Sequence, residues 1–225
     1  MATSELSKVE VKGFEARHYD LLLNLISFGL YSGMVSRAIA ALQIQPGEKI
    51  LDFGCGTGSM AEKMAQYLGP EGRVVGFDIG EEMLEQAYRR QQKDPRLSFH
   101  RQRIDDPLPE PFHGQFDRVF ISFVLHGFEQ PDRLLIIDNA YKALRPGGIF
   151  SILDWHEFDL NRQSFPVRWG FTHLECPLAT DFISHDWKAI LSEKGFGAFQ
   201  ETLFFRGKVR LLQGKKQSQN SGLQS

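Results

Sequence analysis

The chain has 225 residues, 42% of them hydrophobic, with 26 basic against 28 acidic side chains and a formal net charge of −2. That length and apolar fraction suffice for one sizeable core, and the near-neutral balance carries no whole-chain signature of nucleic-acid binding. Only two cysteines, Cys55 and Cys176, are present, which fits neither a disulfide framework nor a zinc ribbon and makes a reducing cytoplasm the expected compartment.

The opening stretch "MATSELSKVEVKGFEARHYD" mixes acids and bases and does not read as a signal peptide. The uncharged run "LLLNLISFGLYSGMVS", Leu21 to Ser36, is shorter than the roughly 20 apolar residues of a membrane helix and reads as a buried or interfacial helix. A strand, "KILDFG", follows Pro46-Gly47. The helix "SMAEKMAQYL" then places Met60, Met64 and Leu68 on one face. "RVVGFDI" is a second strand, and "EEMLEQAYRRQQ" a helix with acids first and bases last, as the helix dipole favours. "RLSFHRQ" and "FDRVFISFVL" are strands three and four. "PDRLLIIDNAYKAL" is a helix with proline in its first turn, ended by "RPGG". "IFSILDW" is strand five. "SHDWKAILSEKG" is a helix with Ser184 as its N-cap and Gly195 beyond its end. "FQETLFFRGKVRLL" gives two strands turning at Arg206-Gly207, and the stretch from Gln213 onward should be a disordered tail.

Strands alternating with helices predict an α/β fold: a doubly wound, mostly parallel sheet with an antiparallel C-terminal strand pair. Ligands in such sheets bind outside the carboxyl ends of the strands at the switch point. That singles out the loops after strands one, two, four and five.

The first of these loops is "DFGCGTGS". A dinucleotide fingerprint needs a glycine at position 59, which is Ser59, and a phosphate loop needs a lysine after Gly58. Gly54, Gly56 and Gly58 nevertheless let the backbone approach a ligand closely. Asp52, at the strand end, puts a carboxylate beside it and favours a cation over a pyrophosphate. Asp78, in "GFDIG", stands roughly 20 residues further on, where an acid accepts hydrogen bonds from ribose hydroxyls. A nucleoside with an ammonium, a sulfonium and no phosphate meets both demands: S-adenosylmethionine.

With "VVGFDIGEEML", "FDRVFISFVLHGF" and "LRPGGIFSILD", the segment "ILDFGCGTG" resembles the ordered motifs of class I S-adenosylmethionine-dependent methyltransferases, from about Gly47 to Asp154. "FEARHYDLLLNLISFGLYSGM" has a looser likeness to the ubiquinone/menaquinone C-methyltransferase group. The resemblance implies a Rossmann-like domain over residues 1–212, with a helical lid over 1–44, an acceptor-side insert over 156–178 and a tail from 213 to 225. It implies that Gly54, Cys55, Gly56 and Gly58 line the methionine part, that Ile79 and Met83 flank the adenine and that Tyr19 covers the cofactor. Asp105 would meet the adenine amino group, although the usual position of that acid is Ile104, and Asp106 could serve after the same shift.

His126 follows strand four and His156 strand five, and both are candidate bases at the expected cleft. Either could equally be an ordinary loop or capping residue, and alignment alone can suffice for methyl transfer. His173 and Cys176, with His156, Glu157 and His185, show no repeated ligand spacing, and no metal is expected. The insert interleaves Phe158, Phe165, Trp169 and Phe171 with Arg162, Arg168 and His173, which suits a flat, partly polar acceptor. The expected activity is methyl transfer to a small or medium organic acceptor. Two alternatives stand beside it: a quinone-ring C-methyltransferase at the membrane surface, and a non-catalytic cofactor-binding module. No nucleic-acid partner and no integral membrane segment are expected.

Overall fold

A computed structural model of the protein describes residues 30–162 and 177–218. Tyr19, and the insert residues Phe165, Arg168, Trp169, Phe171, His173 and Cys176, lie outside the described residues. Seven strands form one sheet in the order β3-β2-β1-β4-β5-β7-β6. The strands are β1 (Lys49–Phe53), β2 (Arg73–Asp78), β3 (Leu97–Arg101), β4 (Phe116–Ser122), β5 (Leu144–Trp155), β6 (Phe196–Phe204) and β7 (Val209–Lys216). The first five pair in parallel, and β7 runs antiparallel between β5 and β6.

Short apolar strands with no polar face require cover on both sides. One face is covered by α1 (Leu30–Ala41), α2 (Ser59–Ala65) and α3 (Glu81–Gln91), whose Met34, Ile39, Met64 and Leu84 pack on Ile50, Val74 and Phe120. The other face is covered by α4 (Gln130–Ala143), α5 (Pro177–Phe182) and α6 (Trp187–Glu193), whose Ile137, Phe182 and Trp187 pack with Leu51, Val119 and Phe150. Consecutive strands run outward from β1 in one direction and from β4 in the other. The switch point therefore lies between β1 and β4, with the loops after Phe53 and Ser122 at its mouth.

Four expectations are corrected. The first described helix runs five residues past Ser36, to Ala41, and buries Met34, Val35, Ala38 and Ile39. The tail begins later than Gln213. Strand β7 continues to Lys216, with Gln213 opposite Ser151, Gly214 opposite Phe150 and Lys215 opposite Ile149. A strand paired on both sides has its backbone satisfied whatever its side chains, and this holds a polar stretch in place. The run "RPGG" is an irregularity inside β5, where the register with β4 shifts between Phe116 and Arg118. The N-cap of α6 is Asp186, whose side chain accepts from the Ala189 amide at 3.0 Å, while the Ser184 hydroxyl donates to the Asp181 carbonyl.

Candidate active site

The glycine loop leaves β1 and is fastened to β2. The amides of Gly54 and Cys55 both donate to the Phe77 carbonyl, at 2.8 and 3.0 Å, and the Gly58 amide closes a turn onto the Cys55 carbonyl at 2.9 Å. Gly54, Gly56 and Gly58 all have positive φ, a conformation in which L side chains are strained. Their surroundings differ. A Cβ on Gly54 would come within 2.6 Å of Val124, and one on Gly58 within 2.8 Å of the Phe99 ring. A Cβ on Gly56 would meet nothing within 4 Å. Packing thus demands the outer two glycines, while the middle one faces open space. Cys55 is buried in the loop, and burial, then the negative charges of Asp52 and Asp78, push its thiol well above its ordinary pKa; it is a filler rather than a nucleophile.

Asp52 and Asp78 flank this loop. Asp52 is 1% exposed, and among the described residues neither carboxylate oxygen has a hydrogen-bond partner. Burial, and then the negative charge of Asp78, raise its pKa well above the ordinary carboxylate value. Asp78 is half-buried. Its Oδ2 accepts from the Gly56 amide and its Oδ1 from the Gly80 amide, both at 2.8 Å. Two acids and a glycine backbone, with a buried carboxylate still to be matched, fit an ammonium and a ribose; a phosphate would be repelled.

Beyond Asp78, Ile79 lines a cavity of about 400 Å³ together with Arg101, Gln102, Arg103 and Asp106. Asp106 lines this cavity, whereas Asp105 is engaged by Arg103 at 2.6 Å. Met83 is buried, with its side chain close to Gly80.

The loop after β4 forms the other wall. Phe123 has φ 53, an outlier for a bulky residue, and its amide donates to the Leu153 carbonyl at 2.9 Å. Its ring lies 6.2 Å from Tyr31 and 6.5 Å from Trp155. Val124 abuts Gly54, and a 3-10 turn, Leu125–Gly127, presents His126. Nδ1 of His126 is 2.7 Å from Oδ1 of Asp154, which is 2% exposed at the end of β5. Arg133, with a fully buried side chain, holds the turn from beneath. Its guanidinium donates to the carbonyls of Leu125, His126 and Leu178 and to Asp181, the last at 2.5 Å.

His156 is placed elsewhere. Nδ1 lies 3.0 Å from the Gly207 carbonyl and Nε2 3.4 Å from Glu157, which itself pairs with Arg210 at 2.6 Å. The Nδ1 contact ties the ring of His156 to the β6–β7 turn. Asp154 and Arg133 were missed in the sequence, because their partners are on other elements. Among the described residues no group of three or more His, Cys, Asp or Glu could hold a metal ion. Among them, too, no helix is long and apolar enough to cross a membrane.

With this geometry in view, known proteins supply the comparison. Residues 50–148, which hold the glycine loop, Asp78 and the His126 turn, match the methyltransferase domain family. Over those residues the chain is a methyltransferase domain. The chain is 32% identical over 140 residues to a demethylmenaquinone methyltransferase of Lactobacillus johnsonii, a match covering 62% of this chain and 57% of that one. It is 31% identical over 158 residues to the enzyme of that name from Staphylococcus carnosus, covering 68% and 64%. The chain thus spans less than two thirds of the length of these relatives. Among solved structures, the methyltransferase fold recurs in a SAM-dependent methyltransferase from Aquifex aeolicus, with TM-score 0.60, 17% identity and coverage of 81% and 89%. Human N-acetylserotonin methyltransferase in complex with SAM shares it at TM-score 0.65 and 18% identity, over 97% of this chain and 61% of that one.

Proposed function

We propose that this protein transfers the methyl group of S-adenosylmethionine to a small or medium organic acceptor. The observation that carries the reading is the pairing of Asp52 and Asp78 around an open glycine cradle. Gly54, Gly56 and Gly58 shape the seat of the methionine part, and Asp52 supplies the charge opposite its ammonium. Asp78 accepts from the ribose. Ile79 and Met83 border the adenine, with Asp106 better placed than Asp105 to meet its amino group. The cofactor, when bound, supplies an electrophilic methyl on a cationic sulfur. The chain's contribution is alignment, exclusion of water and, at the other wall, management of the acceptor's proton.

The acceptor is a flat ring. The cluster of Tyr31, Phe123 and Trp155 at the switch point supports this, as do the names of the relatives, which make a quinone-type ring the first acceptor to try. The two cysteines suit a reducing compartment such as the cytoplasm. The charge balance argues against a nucleic-acid substrate.

Calorimetry with S-adenosylmethionine and with NAD, followed by transfer of a labelled methyl group to naphthalene-1,4-diol, tests the reading. Binding of S-adenosylmethionine alone is expected. Tight binding of NAD, or no binding of S-adenosylmethionine, would overturn the proposal.

A further inference from the structure

Phe204 and Phe205 are adjacent and have opposite surroundings. Phe204, the last residue of β6, is 5% exposed, with the guanidinium of Arg37 on α1 5.7 Å from its ring. Phe205 is 43% exposed. The chain parts them by entering the left-handed region at three successive residues, with φ 47 at Phe205, 56 at Arg206 and 82 at Gly207. Only the last is a glycine, so the first two are held there against their preference. The Lys208 amide donates to the Phe204 carbonyl at 3.1 Å, and the Lys208 carbonyl accepts the His156 amide at 2.9 Å, which closes the turn and fixes it to the end of β5.

The turn carries an apolar tip bordered by cations. Leu203 is 44% exposed, and a Cβ on Gly207 would meet its Cδ1 at 4.0 Å. The other large apolar side chains exposed among the described residues, Tyr67, Tyr88 and Leu135, belong to other elements. Scattered exposed apolar residues are ordinary, whereas a pair presented by one strained turn marks an interaction site. Arg206 and Arg37 are exposed, and among the described residues neither forms an ion pair. The neighbouring acids are paired: Glu157 with Arg210 at 2.6 Å, Asp159 with Arg162 at 3.2 Å and Glu201 with Lys188 at 2.9 Å. The turn is also at the carboxyl end of the parallel strands. Val209 stands opposite Trp155, whose ring is 6.5 Å from that of Phe123 on the loop after β4.

We infer that the β6–β7 turn docks on an anionic lipid bilayer. Leu203 and Phe205 enter the boundary between headgroups and acyl chains, and Arg206 and Arg37 meet the lipid phosphates. An apolar tip beside surplus positive charge matches a surface that is negative outside and apolar beneath. A second copy of the chain, docked symmetrically, would instead set these guanidiniums against their own counterparts. The inference goes beyond the methyl-transfer reading and does not depend on it; joined to it, it turns the mouth of the cleft toward the lipid.

The test sediments the full chain with vesicles of phosphatidylcholine alone and of phosphatidylcholine with an equal part of phosphatidylglycerol. The parent should bind the mixed vesicles about tenfold more strongly than the neutral ones, and binding should weaken between about 0.1 M and about 0.5 M sodium chloride. F205S should weaken it about tenfold and R206A about fivefold, the worth of one cation at such a surface. L135S, on α4, should leave it within about twofold. F205W keeps a ring at the tip and gives a second reading: its emission, taken as the difference from the parent, should shift to the blue with mixed vesicles only. Failure of the parent to bind mixed vesicles, equal binding by F205S and R206A, or an equal loss in L135S would overturn the inference. So would a parent dimer that F205S dissociates in sedimentation velocity without any vesicle binding, which would make the turn a contact between copies. No step uses cofactor or acceptor, so a parent that fails to bind S-adenosylmethionine refutes the methyltransferase reading alone.

Discussion

The amide of Gly56 donates to Oδ2 of Asp78 at 2.8 Å, so the middle of the glycine loop and the acid at the end of β2 are one hydrogen-bonded unit. The loop after β1 is thereby set by the end of β2, and its three left-handed glycines are held in register with the sheet. Asp78→Ala should weaken S-adenosylmethionine binding by about 1.5–3 kcal/mol, the range for hydrogen bonds to a charged group. Because the Gly56 and Gly80 amides also lose their acceptor, the melting temperature of the free protein should fall as well. Calorimetry and a thermal scan on one preparation check both, and unchanged affinity would place the ribose elsewhere.

Asp52 gives a pH-dependent prediction. Burial first, and the charge of Asp78 second, raise the pKa of its carboxyl well above the ordinary value. Below its unfolded-state value both forms of the chain are protonated there, and nothing is lost. As pH rises, the unfolded chain ionises Asp52 while the folded chain resists, so stability falls toward neutral pH. Asp52→Asn should remove that slope and raise the melting temperature at neutral pH but not at about pH 3. The bound ammonium reverses the preference, favouring the carboxylate. Cofactor affinity should therefore rise with pH in the parent, stay flat in Asp52→Asn and be at least tenfold weaker there near neutrality. Parallel pH profiles for the two proteins would mean that Asp52 does not meet the ammonium.

Gly56→Val should fold and fail to bind. The new side chain meets no protein atom within 4 Å of its Cβ, but φ is +52, so backbone strain should cost about 1–2 kcal/mol. Its branches then occupy the seat. Gly58→Val should behave differently, since its Cβ is driven against Phe99 and Ala87 as well as into a left-handed backbone, and the soluble yield should drop. Circular dichroism with cofactor titration separates the two outcomes.

Arg133 was invisible in the sequence for a physical reason. In the sequence it is one charged residue in the first turn of a helix, whereas the structure buries it completely and aims it at three carbonyls on other segments. Arg133→Leu leaves those carbonyls without their donor and removes the cation paired with Asp181, and we expect a loss of about 3 kcal/mol in chemical denaturation. A loss below about 0.5 kcal/mol, the usual size of a surface change, would show that the clamp is dispensable.

The contrast runs through the molecule. Features set by near neighbours were legible: the glycine loop, the acid at the end of β2, the alternation of strand and helix, and the turn at Arg206-Gly207. Features set by distant partners were not. Asp154 read as the end of a strand, and only folding brings it to His126, 28 residues away. His156 looked equivalent to His126, each following a strand, but its ring is claimed by Gly207 on the β6–β7 turn. Gln213 read as the start of a tail. In the fold its side-chain oxygen accepts from the buried Arg118 at 2.9 Å, a bond with no local sequence pattern.

The strained backbone at Phe123 yields the last prediction. A bulky residue at φ 53 persists only where its surroundings over-determine it, and here the Leu153 carbonyl fixes its amide while Tyr31 and Trp155 flank its ring. Such strain collects at sites where a side chain must be presented, and this one immediately precedes Val124, which packs on Gly54. Phe123→Leu keeps the backbone problem and the apolar volume but removes the aromatic face. If the ring is a platform for a flat acceptor, the Michaelis constant for naphthalene-1,4-diol should rise about tenfold, the loss of roughly 0.5–1.5 kcal/mol of stacking, while cofactor affinity stays within about threefold. If the ring only seals α1 against the sheet, the variant should lose stability and leave the Michaelis constant where it was. Measuring both constants and the melting temperature on the same sample decides between a platform and a plug.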